Sequence, residues 1–218
     1  MFVKTALPKT GDMSISFYLQ EFLMMKLEKV NHLLVITITI VSLGCLLSAC
    51  DSKNEAETDY NLGNKYASQD KLEDAVTAYQ QAITIDPNDA MAHNNLGLVY
   101  RMQGKLEDTV TAYQQAIALD PNLTKAHYNL GYVYYEQGKL EDAIAQLQQA
   151  IALDPNLAPA HYNLACIYSL KNEQTPAIEW LQKAIALDQS TIIEQSKTDS
   201  DLDNIRQSAE FQQLINSE

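Results

Sequence analysis

Apolar residues recur along most of the chain with two superimposed periods. Within residues 56–191 they lie three or four positions apart in successive stretches, which predicts amphipathic helices. The stretches recur as longer units: Ala90–Leu123 and Thr124–Leu157 are identical at 23 of 34 positions. Weaker copies cover Ala56–Asp89 and Ala158–Thr191. A period of this length predicts a stacked array of helix hairpins, in which each unit buries its apolar face on the next.

Turn residues separate the predicted helices. The fifteenth position of every unit carries a residue that tolerates the left-handed backbone ending a helix. These residues are Asp70, Gly104, Gly138 and Asn172. The Asp-Pro-Asn runs at 86–88, 120–122 and 154–156 end the second helix, because proline disfavours helix in the residue before it. The eighth position is small, which predicts close approach of two helices, and is occupied by Gly63, Gly97, Gly131 and Ala165.

The pattern resembles the tetratricopeptide repeat family. In the first unit the match is carried by Leu62, Gly63, Tyr66, Ala75, Tyr79, Ala82 and Pro87. The resemblance implies an all-α fold, a right-handed α-solenoid of four helix hairpins followed by a short C-terminal capping helix or helices. In the last repeat Thr175 is expected to cap the second helix, with Pro176 at its first position.

Residues 192–218 are expected to form a connector and the capping helices that solenoids need. The connector is expected near residues 194–198. Apolar side chains beyond it are expected to cover the end of the array, and they are Leu202, Ile205, Phe211, Leu214 and Ile215. Asp201, Asp203 and Arg206 are expected to face water.

An uncharged apolar run, Leu33–Leu47, precedes the repeats. Its 15 residues are short for a membrane-spanning helix, which needs about 20, and suit the apolar region of a signal peptide. The run ends in Leu47-Ser48-Ala49-Cys50, which resembles the lipobox of bacterial lipoproteins. The resemblance implies a signal peptide at 25–49, lipidation of Cys50, and a tether at 50–55 that spans at most about 18 Å. An uncleaved signal anchor is the alternative.

Residues 1–24 precede the basic region with which a signal peptide normally begins. Translation is therefore expected to start at Met24 or Met25, which makes residues 1–24 a non-native or disordered extension. The implied location is the bacterial cell envelope, anchored by lipid on the non-cytoplasmic side, and Asp51 favours the inner membrane. The net charge of −13 excludes nucleic acid as the default partner, since phosphate binding needs a basic surface.

Candidate binding residues follow from the family's architecture, in which the first helices line a concave groove. The positions that remain after the core stripe is assigned are rich in tyrosine and asparagine, which offer contact area and amide hydrogen bonds to an extended peptide. They are Tyr60, Asn61, Asn64, Asn94, Asn95, Leu98, Arg101, Lys125, Tyr128, Asn129, Tyr132, Tyr135, Tyr162 and Asn163. The alternative for the asparagines is that they bridge neighbouring helices.

Other chemistry is not indicated by the sequence. His93, His127 and His161 stand where the family often has tryptophan, one repeat apart, too far to share a metal ion. Neither a catalytic constellation nor a cofactor motif occurs, so no enzyme activity, metal or cofactor is expected. The carboxylate clamp of some relatives would place asparagines on Asn64 and Asn95 and a lysine on Lys125. Its other two cations would fall where Tyr60 and Asn129 stand, which disfavours a receptor for chaperone tails.

The sequence thus predicts a membrane-anchored scaffold that binds a peptide segment of a protein partner in its groove. Two alternatives remain open. One is a structural protein that assembles with itself through its repeats. The other is an accessory subunit of an envelope enzyme or assembly complex.

Overall fold

The computed structural model describes residues 20, 22–27, 29, 32 and 52–216. The chain divides into two compact units, Met1–Asn54 and Glu55–Glu218. In the first unit the described residues 20, 22–27, 29 and 32 are helical. Cys50 and most of the expected signal peptide lie outside the described residues. Among those described, no helix combines the length and the apolar character needed to cross a bilayer.

Helices in antiparallel pairs make up the repeat region, and the described residues contain no β-strand. The first pair is α1 (residues 52–68) and α2 (Leu72–Ile85). The next pairs are α3 (Ala90–Met102) with α4 (Leu106–Leu119), α5 (Thr124–Glu136) with α6 (Leu140–Leu153), and α7 (Ala158–Leu170) with α8 (Gln174–Leu187). Three further elements follow: α9 (Gln189–Thr198), a 3-10 helix (Ser200–Leu202) and α10 (Ala209–Asn216). The prediction of an all-α array of four hairpins with C-terminal helices is confirmed.

The turn inside each hairpin adopts the predicted left-handed conformation. Gly104 has a φ of 73°, and its N–H donates to the Arg101 carbonyl over 2.9 Å. The next N–H, of Lys105, reaches back to the Tyr100 carbonyl over 2.9 Å, which completes a Schellman motif and pairs the last carbonyls of α3. The equivalent residues with positive φ are Asp70, Gly138 and Asn172.

The turn between hairpins uses the Asp-Pro-Asn run and the histidine of the following helix. Asp120 Oδ1 accepts the Asn122 N–H over 3.0 Å, and His127 Nε2 lies 3.1 Å from the Pro121 carbonyl oxygen. His161 holds the same relation to Pro155 at 3.0 Å. The side chains of these histidines therefore connect the start of the first helix of a hairpin to the turn before it.

Small residues let the two helices of a hairpin approach closely. A Cβ built on Gly97 would lie 2.8 Å from Cε1 of Tyr113, well inside van der Waals contact. The side chain that needs this space occupies the twenty-fourth position of the repeat. It is fully or almost fully buried in all four hairpins. Its residues are Tyr79, Tyr113, Leu147 and Leu181.

The fourth hairpin begins its second helix earlier than expected. Helix α8 starts at Gln174, with Glu173 at the N-cap and no side-chain cap bond. The prediction that Thr175 is the N-cap is therefore wrong. Pro176 lies in the first turn, where N–H groups have no partner within the helix, so its missing donor costs nothing.

The segment after the fourth hairpin is more ordered than the sequence predicted. Helix α9 follows α8 after Asp188 alone, and Asp188 Oδ1 caps it by accepting the Thr191 N–H over 3.3 Å. The connector expected at 194–198 is instead the second half of α9. Asp188 is followed by Gln189 rather than proline, so a new helix begins where the other repeats have a turn. Leu202, Ile205 and Phe211 are buried, as predicted.

Candidate peptide-binding groove

The first helices of the hairpins, α1, α3, α5 and α7, form one continuous face. Contacts join α3 to α5 and α5 to α7 directly. The predicted binding positions lie along this face, which we call the groove. Second helices pack behind it, so that α4 and α6 each contact the first helices on both sides in sequence.

Asparagine bridges join neighbouring first helices with a fixed spacing. Asn95 Nδ2 donates to the Tyr60 hydroxyl over 3.0 Å, and Asn129 Nδ2 donates to Asn94 Oδ1 over 3.1 Å. Both bonds span 35 residues, because they join the sixth position of one repeat to the fifth of the repeat before it. The alternative reading of the asparagines, as bridges between helices, thus describes what their side chains do in the structure.

The bridge between α1 and α3 belongs to a larger network. Asn64 Oδ1 accepts from the Tyr79 hydroxyl over 2.7 Å and from Asn95 Nδ2 over 3.0 Å. Asn94 Nδ2 extends the network to Asn95 Oδ1 over 3.1 Å. Burial raises the pKa of Tyr79 to about 12 against a smaller opposing effect of Asn95. These amides are occupied within the chain, and contact of Asn95 with a partner stays a prediction.

Arg101 lies at the middle of the groove and is held in a fixed orientation. Its Nε and Nη2 donate to the two carboxylate oxygens of Glu136 over 3.0 and 2.9 Å. The guanidinium also lies 4.5 Å from the ring centre of Tyr132, within range of a cation–π contact. The bond to Glu136 raises the pKa of Arg101. The charge of Arg101 is therefore balanced inside the chain.

The chain's own C-terminal segment covers the far end of the groove. Tyr162, only 4% exposed, donates its hydroxyl proton to Asp199 Oδ2 over 2.7 Å. Tyr135 donates to Asp201. The carboxylate of Asp201, expected to face water, is thus engaged by a groove residue. Tyr135 and Tyr162 were both predicted to bind a partner, yet here they bind this segment.

The covering segment is fastened at several points. Arg206, also expected to face water, donates Nη1 to the Ser196 and Lys197 carbonyls over 3.0 and 2.7 Å. Asn204 Nδ2 donates to the carbonyl of Ser169 on α7 over 2.9 Å. Together with buried Leu202 these bonds make the segment part of the core. The interpretation of Arg206 as a water-facing residue is wrong because its guanidinium pairs backbone carbonyls at the end of α9.

Cys166 lies under the same segment and is chemically shielded. Its side chain is 1% exposed, and its thiol lies 3.7 Å from Asp199 Oδ2. Burial, and then the nearby Asp199 carboxylate, raise the pKa of the thiol far above its ordinary value. A thiolate nucleophile is thereby disfavoured at neutral pH. The described residues contain no group of three or more potential metal ligands.

A cavity of about 380 Å³ lies in the open middle of the groove. First-helix residues that line it include Arg101, Tyr128, Asn129, Tyr132 and Asn163. The opposite wall comes from α9, with Asp188, Thr191, Ile192 and Gln195. This wall was not predicted, because Asp188 and Thr191 were assigned to the end of the fourth repeat and Gln195 to the connector. Tyr113, which reaches the cavity from a second helix, was not predicted either.

The remaining predicted binding residues differ in how exposed their side chains are. Leu98 is 40% exposed and adjoins Met102, which is 49% exposed, so α3 presents an apolar strip beside Arg101. Asn61 and Lys125 are exposed, whereas Tyr60 and Tyr128 are partly buried. Burial raises the pKa of the Tyr128 hydroxyl. The neighbouring Asn163 side chain opposes part of this rise.

Stacked helix hairpins whose first helices line a polar, tyrosine-rich groove define a helical-repeat protein of the interaction type. The family described as TPR repeat matches residues 63–104, 98–138 and 131–171, and the family described as tetratricopeptide repeat matches 158–191. The chain belongs to the tetratricopeptide repeat family. Domains of this family are in general protein–protein interaction scaffolds and are typically not enzymes.

Solved structures show the same fold. MamA protein is 24% identical, with 74% of this chain and 90% of that chain covered and a TM-score of 0.61. The pilF protein of Pseudomonas aeruginosa is 22% identical over 72% of this chain and 69% of its own, with a TM-score of 0.62. The first TPR of Spaghetti (RPAP3), bound to the HSP90 peptide SRMEEVD, is 27% identical over 53% and 91%, with a TM-score of 0.52. No curated protein matches the chain.

Proposed function

We propose that this protein is a membrane-anchored scaffold that binds an extended peptide segment of a protein partner in the middle of its groove. The observation that carries the proposal is the open cavity between α5, α7 and α9, lined by tyrosines and by Arg101 of α3. The same helix α3 carries the exposed Leu98 and Met102. A segment lying there would bury apolar surface on Leu98 and meet hydroxyl and amide groups from α5. Pockets that combine apolar walls with a few placed polar groups are typical binding sites.

The groove residues contribute unequally to this proposal. Tyr128, Asn129 and Tyr132 line the cavity, and Leu98 is exposed on α3. The Nδ2 of Asn129 already donates to Asn94, so only its amide oxygen is available to a partner. The hydroxyls of Tyr135 and Tyr162 donate to Asp201 and Asp199, so they are not available to a partner, although Tyr162 still lines the cavity.

An acidic tail is a poor candidate for the bound segment. In the structure of Spaghetti (RPAP3), the bound HSP90 peptide SRMEEVD carries three acidic residues. Here Arg101 is already paired with Glu136, and Asn64 and Asn95 are committed to each other. The guanidinium of Arg101 is therefore not free to pair with a carboxylate, and we propose a segment of low negative charge.

The membrane anchor is the second part of the proposal. It rests on the apolar run and on the lipobox-like Leu47-Ser48-Ala49-Cys50. Two or more acyl chains on one cysteine bind a bilayer stably where a single chain does not. The tether before the first repeat is short, so the groove would work close to the surface of the membrane.

Photo-crosslinking in cells tests the groove. A benzophenone amino acid placed at position 132 should capture a partner, whereas the same amino acid at exposed Gln115 on α4 should not. Leu98→Ala combined with Tyr132→Ala should weaken capture by the crosslinker placed at position 129. Equal capture at positions 115 and 132 would count against the groove. A crosslinked product consisting of two copies of this chain would identify self-assembly instead.

Fractionation tests the anchor. Cys50→Ala should release the protein from membranes, while Cys45→Ala, which removes a cysteine from the expected signal peptide, should leave the attachment intact. Mass spectrometry of the N-terminal peptide would show the acyl groups directly. Tight membrane association of the Cys50→Ala variant would contradict the proposal.

A further inference from the structure

Two equivalent tyrosines in the first and second hairpins differ in one respect. Tyr79 and Tyr113 both occupy the twenty-fourth position and are 2% and 0% exposed. The Tyr79 hydroxyl donates to Asn64, at the ninth position of its own repeat. The ninth position of the second repeat is Leu98, whose side chain has no acceptor atom. The Tyr113 hydroxyl consequently has no hydrogen-bond partner within the described residues.

Tyr113, whose hydroxyl is unpaired, is one of the residues that line the cavity in the groove. Asn163 also lines the cavity and is only 7% exposed, and its side chain lies beside the Tyr128 hydroxyl. Buried polar groups in folded proteins are nearly always paired, and each exception calls for a partner. The Tyr113 hydroxyl can donate, so the group that pairs it is an acceptor oxygen, from a bound partner or from water.

Charge around the cavity decides which acceptor fits. Arg101 is neutralised by the bidentate bond to Glu136, and Asp188 on the opposite wall carries a negative charge. The whole chain has a net charge of −13. A carboxylate entering the cavity would meet this negative field without a free cation, whereas a neutral amide would not.

We propose that the cavity receives the side-chain amide of an asparagine or glutamine in the partner's segment, whose carbonyl oxygen accepts from the Tyr113 hydroxyl. This inference rests on the proposed function, since it places one residue of the bound segment. The volume of about 380 Å³ accommodates a single side chain with its neighbouring backbone. Pockets for complete small ligands run from about 300 to 1,000 Å³, so this one is at the small end.

A positional peptide library tests the inference on the purified full chain. The library consists of short random peptides, acetylated and amidated at their ends, in which each position is fixed in turn as Gln, Asn, Glu or Leu. We expect one position at which Gln or Asn is retained about 3- to 10-fold better than Leu and Glu, the discrimination of one neutral hydrogen bond or slightly more.

Matched variants connect the preference to the cavity. Tyr113→Phe should abolish the amide preference, and Tyr79→Phe, the same change at a paired hydroxyl, should leave it intact. Circular dichroism of each variant confirms that the fold is retained.

The outcomes separate the two proposals. Failure of every library peptide to bind would overturn the peptide-binding function and this inference together. Binding without an amide preference, or with a preference that survives Tyr113→Phe, would overturn the inference alone. A preference for Glu would assign the cavity to carboxylates and overturn the proposed neutral amide.

Discussion

The hydroxyl of Tyr79 donates to Asn64 Oδ1 over 2.7 Å, whereas that of Tyr113, its counterpart one repeat later, has no partner in the described part of the chain. The two rings fill the same space against a glycine of their own hairpin. Removing the hydroxyl is therefore the same change in volume at both positions. It differs only in whether a hydrogen bond is lost.

Tyr79→Phe should lower the free energy of unfolding by about 1 kcal/mol, since it breaks a buried neutral hydrogen bond. Tyr113→Phe should leave it unchanged or raise it, because an unpaired buried hydroxyl is replaced by hydrogen. Urea denaturation followed by circular dichroism measures both. A loss of equal size for the two variants would show that the Tyr113 hydroxyl is paired in solution.

Asn129→Ala should also destabilise the array by about 1 kcal/mol, because it removes the bridge to Asn94 and leaves a buried amide oxygen unpaired. Asn61→Ala is the matched control, since Asn61 holds the same position in the first repeat, is exposed, and has no repeat before it to bridge. The free energy of unfolding of the Asn61→Ala variant should stay within about 0.5 kcal/mol of that of the parent protein, as is usual for surface substitutions. Similar losses for both would contradict the bridging role.

The protein should lose stability at alkaline pH. Burial raises the pKa of Tyr79 to about 12 from an ordinary value of 10.0 and moves the pKa of Tyr113 in the same direction. Between these values the unfolded chain loses a proton that the folded chain keeps, so unfolding becomes more favourable. The stabilisation is fully present below pH 10 and disappears as pH rises towards 12.

Denaturant titrations at a series of pH values, with phenolate absorbance recorded alongside, would measure this effect. Tyr79→Phe should make the alkaline fall in stability less steep. A stability curve that is flat from pH 10 to 12 would contradict the prediction.

The left-handed turn residues predict opposite effects for two substitutions. Gly104→Ala should destabilise by about 1 kcal/mol, since a Cβ disfavours a φ of 73° although there is open space around it. Asp70→Gly should be neutral or stabilising at the equivalent position, where φ is 58°. Melting temperatures of the two variants would test the pair, and a stabilising Gly104→Ala would show that this turn changes conformation.

Hairpins, turns and helix ends were predictable because their signals are local and repeated. Gly104 and Gly138 mark a turn by their own conformational freedom, and the Asp-Pro-Asn runs stop a helix wherever they occur. The prediction of Thr175 as the N-cap was wrong. Glu173 and Gln174 have no strong preference for either side of a helix boundary, so α8 starts at the same repeat position as the second helices of the other repeats. The C-terminal segment occurs once, and its fastening by Arg206 depends on contacts that no period reveals.

The candidate groove was predicted in part. Repeat positions placed the asparagines and tyrosines on the first helices, yet whether Asn95 faces a partner or a neighbour depends on the distance between helices. The repeat pattern could not predict that Tyr135 and Tyr162 donate hydrogen bonds to acidic residues far along the chain. The difference between Tyr79 and Tyr113 was visible in sequence as Asn64 against Leu98, but only the packing showed that these positions meet.

The asparagine bridge also bears on how such a chain can evolve. Its acceptor at the fifth position is supplied equally well by the hydroxyl of Tyr60 or the amide oxygen of Asn94. A duplicated 34-residue unit inserted between Ala90–Leu123 and Thr124–Leu157 would therefore find a working junction on both sides. High sequence identity between these two units is the pattern that such a duplication produces. The array can gain length from its middle, while its C-terminal end, closed by its own segment, stays unchanged.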